Sequence, residues 1–110
     1  MFAQNAGMRF ERLTTASGLS QNTIHKIIQD KNGFLWFATA DGLNRYDGYT
    51  FEVYRNNPSD KTSLSDSGIF SVTEDEVGDL WVGTRSSGLN KIEIKTGRVI
   101  RISKGPNNED

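Results

Sequence analysis

The side chains able to do covalent or acid–base chemistry are few here, and their spacing does not bring them together. His25 is the single histidine, and there is no cysteine. Disulfides and thiolate metal sites are therefore excluded, and cysteine usage does not choose a compartment. No serine stands in a nucleophile motif, and the carboxylates are scattered singly, so no general acid and base are paired. Asp30-Lys31-Asn32-Gly33 opens like a calcium loop, but the further oxygen ligands and the distal glutamate of such a loop are missing. The segment reads as a turn, with Gly33 supplying a positive φ. No helix start follows Gly42 or Gly88, so these are turn or packing glycines rather than a phosphate cradle. The expected chemistry is recognition: no catalytic residue, no metal ligands and no cofactor.

Charge narrows the partners. Thirteen basic residues face 14 acidic ones, for a net charge of −1. No basic run exceeds a pair, which argues against a nucleic-acid surface and against electrostatic contact with a membrane. No apolar run approaches the ~20 residues of a membrane span. Met1 to Gly7 is too short and too polar for a signal peptide and reads as a disordered leader. The 11 glycines and 2 prolines, with 35% hydrophobic residues, fit many turns between short strands.

The elements that must position any site repeat along the chain. Leu19 to Thr39 matches Leu64 to Thr84 at a shift of 45 residues. The identical pairs are Leu19/Leu64, Ser20/Ser65, Ile24/Ile69, Asp30/Asp75, Gly33/Gly78, Leu35/Leu80, Trp36/Trp81 and Thr39/Thr84, 8 of 21 positions. Chance would match about one or two. After one inserted residue, Gly42-Leu43-Asn44 aligns with Gly88-Leu89-Asn90. The period suits both four-stranded propeller blades and helical repeats. Strand content decides. Thr23 to Asp30, Phe34 to Thr39, Gly42 to Tyr46 and Thr50 to Arg55 read as strands, with Asp47-Gly48 as a hairpin turn. The second copy reads alike over Gly68 to Asp75, Asp79 to Thr84, Gly88 to Ile94 and Arg98 to Ile102. The local helical spacing of Ile24, Ile27 and Ile28 is not kept by Ile69, Phe70 and Val72.

Ile27 to Thr39 followed by Asp41-Gly42-Leu43-Asn44-Arg45-Tyr46 resembles the two-component-regulator propeller repeat. Thr73-Glu74-Asp75, Gly78 to Thr84 and Gly88 to Lys91 resemble the same repeat, and Phe10 to Ser20 is similar to the segment that opens such regions. The resemblance implies seven-bladed propellers in the periplasmic part of membrane-bound sensors. It also implies a sandwich domain, a membrane helix and a histidine kinase or diguanylate cyclase output in the parent, and an oligosaccharide or other small ligand. Only two repeats stand here, so the expected fold class is all-β: two four-stranded antiparallel blades plus one N-terminal strand, an incomplete β-propeller.

The expected division is a leader at 1–18 with a strand at about 8–13, a first blade and linker at 19–63, a second blade at 64–102, and a disordered tail at 103–110. The recurring Trp36 and Trp81, with Leu35, Leu80, Gly33 and Gly78, read as the structural core of the repeat rather than as a platform for a sugar. His25, whose counterpart is Phe70, is expected to pack or face the channel. Ligand contacts should come from loops, at positions that differ between the copies. The loops before the first strand and after the second share one face, which makes Gln21, Asn22, Asp41, Asp66, Arg85 and Ser86 the candidate ligand-binding residues. Expected partners are a carbohydrate or small molecule, and either further blades of a parent protein or other copies of this chain. The second possibility follows because two blades leave two faces bare, and exposed apolar faces and open edges associate. A protein-binding scaffold and a channel-centred lyase or hydrolase are the alternatives to a sensor.

Overall fold

The computed structural model describes residues 18–21 and 23–102. These residues form two four-stranded antiparallel sheets and no helix. The first contains β1 (Ile24–Gln29), β2 (Leu35–Thr39), β3 (Gly42–Tyr46) and β4 (Phe51–Tyr54), in that spatial order. The second repeats it with β5 (Ile69–Glu74), β6 (Leu80–Thr84), β7 (Leu89–Glu93) and β8 (Arg98–Ile102). Every strand falls inside its expected segment. The expected strand at 8–13, Asn22 and the tail at 103–110 lie outside the described residues.

The same turn chemistry closes β1 onto β2 and β5 onto β6. The Asp30 carboxylate accepts from Asn32 N, Phe34 N and Trp36 Nε1 at 2.9, 3.0 and 2.8 Å. Asp75 accepts from Val77 N, Asp79 N and Trp81 Nε1 at 3.0, 3.0 and 2.8 Å. Gly33 and Gly78 take φ of 93° and 96°, so the turn reading of this motif holds. The repeated aspartate thus shapes the turn and also satisfies the indole of the repeated tryptophan.

Successive strand side chains point to opposite faces, so each sheet has two. One face of the first sheet, carrying Trp36, Ala38, Leu43, Ile28 and Tyr54, packs with Ile69, Val72, Leu80, Val82 and Ile92 of the second. Leu64, from the link between the sheets, is buried with them. Trp36 is 0% exposed within this cluster. A second, smaller cluster forms on the other face of the first sheet, where Leu35, Phe37 and Leu19 are buried.

The expectation of two bare faces needs correcting. Leu35 and Phe37 on the first blade's outer face are only 2% and 1% exposed, so most of that face is not bare. Its inner end is open: Ile27 is exposed where its counterpart Val72 is fully buried. The second blade's outer face is bare. Trp81 is half-buried there, and Leu89 and Ile102 are exposed.

Candidate functional site

Two kinds of latch hold the rim on which the candidate residues sit. Ser20 N donates to Asn44 Oδ1 and Asn44 Nδ2 donates to Ser20 Oγ, at 2.9 and 2.8 Å. Ser65 and Asn90 repeat the pair at 3.1 and 2.7 Å. Both asparagines are fully buried, so this exchange satisfies polar groups that would otherwise be costly. The second latch is the hydroxyl of Thr39, which donates to Gly42 O at 2.8 Å, and of Thr84, which donates to Gly88 O at 2.7 Å. The identities Ser20/Ser65, Thr39/Thr84 and Asn44/Asn90 were visible in the repeat. The pairing of serine with asparagine was not, because those partners lie 24 and 25 residues apart.

These latches bring the loops before β1 and β5 next to the loops after β2 and β6. Gly42 N donates to Ser67 O, which joins the first blade's rim to the second's. Ala40 N donates to Thr23 O at 3.1 Å, and Arg85 N to Gly68 O at 2.8 Å. The expected sharing of one rim by these loops is therefore seen in the geometry.

The candidate residues differ in what they do there. Gln21 Oε1 accepts from Thr23 N at 3.2 Å. Asp41 pairs with Arg55 Nε at 3.3 Å. Asp66 Oδ1 accepts from Gly68 N at 3.1 Å, and Oδ2 accepts from both Ser86 N and Ser86 Oγ at 3.0 Å. Burial alone would raise the Asp66 pKa, but the donors from Gly68 and Ser86 outweigh it and hold it below the ordinary aspartate value. Arg85 is exposed, and its guanidinium has no partner among the described residues. Asn22 is not among them.

On the innermost strands the ladder skips one residue in each blade, at His25 and at Phe70. These two bulged residues meet edge to face, with ring centroids 4.9 Å apart and planes at 89°. His25 is thus exposed on β1 and packs its ring against Phe70. Nothing in the sequence marked its contact with Phe70, since a bulge shows only in the pairing. Among the described residues no group of histidine, aspartate and glutamate is placed to hold a metal.

At the opposite rim an open groove of about 450 Å³ runs between the β1–β2 turn and the second blade, lined by Lys31, Asn32, Val77, Glu93 and Lys95 among others. Lys31 spans it, its backbone N–H donating to Glu74 and its Nζ to Glu76 O, both at 3.0 Å.

Residues 18–41 and 63–86 each match the two component regulator propeller repeat. Histidine kinase P4 of Formosa agariphila is 54% identical over 63 residues, which is 57% of this chain and 5% of the kinase. The extracellular domain of the hybrid two component system BT3049 from B. thetaiotaomicron superposes with a TM-score of 0.79 at 36% identity. That match covers 88% of this chain and 14% of the other. The extracellular domain of the one component system BT4673 from the same organism gives 0.65 at 28% identity, over 81% of this chain and 13% of the other. The chain thus spans a small part of each of these proteins. The two matched repeats fold as two adjacent four-stranded blades of the two component regulator propeller type.

Proposed function

We propose that these blades recognise a ligand for a bacterial sensor of the two-component type, by non-covalent binding of an oligosaccharide or other small molecule. The observation that carries this reading is the convergence of the loops before β1 and β5 with those after β2 and β6 on one rim. That rim bears polar side chains that differ between the two copies, over a latched framework that does not. Variable side chains on a rigid frame are what selective binding needs. The names of the relatives support a signalling role, and the extracellular character of the two solved neighbours supports a periplasmic location. In this reading any kinase or cyclase activity belongs to other modules of a parent protein.

Thermal denaturation of the chain with a panel of neutral and acidic oligosaccharides tests it. A ligand that binds only the folded state raises Tm with concentration. At least one saccharide should do so, and Asp41→Ala together with Gln21→Ala should reduce the shift. No shift with any sugar, alongside capture of a defined protein partner, would favour the scaffold reading. That second reading has its own observation in the bare outer face of the second blade, where Trp81, Leu89 and Ile102 are accessible.

A further inference from the structure

We infer that Arg85 is an anion-binding residue and that the ligand of this rim is an acidic saccharide, carrying a carboxylate or a sulfate ester. The inference rests on the sensor reading above and narrows its ligand class. It starts from a contrast among the candidate residues. Gln21, Asp41, Asp66 and Ser86 all direct their polar atoms to other parts of the protein. Among the described residues Arg85 is bonded through its backbone N–H alone, toward Gly68 O. Its guanidinium is permanently charged and forked, suited to bidentate contact with an oxyanion.

The repeat shows how this arginine is held. The counterparts of Gly68 and Arg85 in the first blade are Thr23 and Ala40, joined by the same backbone hydrogen bond. In the second blade both positions change together. A Cβ on Gly68 would lie 3.1 Å from Arg85 Cβ and 3.3 Å from Arg85 Cδ. Gly68 does not have a positive φ, so its backbone does not call for glycine. The missing side chain instead leaves a shelf on which the arginine stem rests, beside Ala40 O at the seam between the blades. A stem held this way loses less freedom on binding than a free surface arginine.

Two neighbouring features suit a sugar acid. Phe70, two residues along from Gly68, exposes half of its surface at the inner edge and is braced by His25. An exposed aromatic ring takes the apolar face of a pyranose, leaving its acid group to the arginine. The Asp66 carboxylate keeps its negative charge, and its oxygens are turned toward the Gly68 and Ser86 N–H groups and the Ser86 hydroxyl, so the acid group is assigned to Arg85 and not to the Asp66 side of the rim.

Calorimetric titration of the full chain with trigalacturonate, a sulfated galactan tetrasaccharide and neutral galactotriose tests the inference. At least one acidic probe should bind tenfold or more tightly than galactotriose, with an affinity that falls as salt rises. Arg85→Gln should weaken that binding at least tenfold with the fold unchanged by circular dichroism. The double variant G68T/R85A restores the pair that the first blade already folds with, and should also lose the preference for acidic probes. If galactotriose binds the wild-type chain as well as the acidic probes do, or if R85Q leaves their binding unchanged, the anion assignment fails while the sensor reading stands. If neither acidic probe binds, the anion assignment fails as well, and the oligosaccharide panel decides the sensor reading separately.

Discussion

At the scale of single residues, one aspartate per repeat does the most. Asp30 accepts three hydrogen bonds, one of them from the indole of a tryptophan with no exposed surface. Asp30→Ala would leave that buried N–H without an acceptor, at a cost of about 1–3 kcal/mol. Urea denaturation should show this loss. Asp75→Ala should cost less, because the half-buried Trp81 can turn to water. Acid should act on the same motif. The hydrogen bond from Trp81 is the largest influence on Asp75, and together with the Asp79 and Val77 N–H groups it lowers the pKa below 3.8. A lowered folded-state pKa stabilises the fold at pH values above 3.8, and this is lost as pH falls through the folded value. Melting temperature should therefore be flat from neutrality to about pH 4 with respect to this group and fall below that, with a smaller fall in Asp75→Asn. The motif's turn was legible from Asp30 and Gly33, since turns depend on neighbours in sequence. The indole contact joins Asp30 to a residue six positions on, and no local pattern announces it.

At the scale of elements, the glycines separate local from tertiary causes. Gly48 has φ of 103° in the Asp47–Thr50 hairpin, and a Cβ there would meet nothing within 4 Å. Gly48→Ala should cost only the backbone term, about 1–2 kcal/mol. Gly42 has φ of 111°, and a Cβ would also come within 3.0 Å of Tyr54 O and 3.1 Å of Val53 Cγ1. Gly42→Ala should therefore cost clearly more than Gly48→Ala in the same denaturation assay. The hairpin Asp-Gly was readable as a turn from sequence alone. Gly42 was readable only as turn or packing, and the close approach of β4 makes it both. The bulges at His25 and Phe70 were not readable at all, because the alternating pattern of β1 and β5 carries no sign of a skipped partner.

At the scale of the whole molecule, the two tryptophans compare the same side chain in two settings. Trp36 lies between blades, while Trp81 lies on an outer face, covered in part by Lys91 Nζ at 5.3 Å from its ring. Trp36→Ala should cost about 3–5 kcal/mol, and Trp81→Ala much less in the monomer. The bare face around Trp81, Leu89 and Ile102 predicts concentration-dependent association, because contiguous exposed apolar surface drives it. Light scattering across a dilution series should detect it, and Leu89→Lys with Ile102→Lys should suppress it. A stable, well-folded monomer at all concentrations would remove both this expectation and the ring of copies. The buried Leu35 and Phe37 already weigh against a ring, since the face that would receive the next copy is largely closed.

The repeat, the eight described strands, their turns and the loops that carry variable side chains were all readable from the order of residues. These follow from period, alternation and turn residues, all properties of short stretches of chain. Which candidates have side-chain partners among the described residues, and which has none there, followed from the tertiary structure. Asp41, Asp66 and Ser86 looked as available as Arg85 until the fold supplied Arg55 and Gly68 as neighbours. It also decided that one outer face is largely closed and the other open, because burial depends on what lies opposite in space.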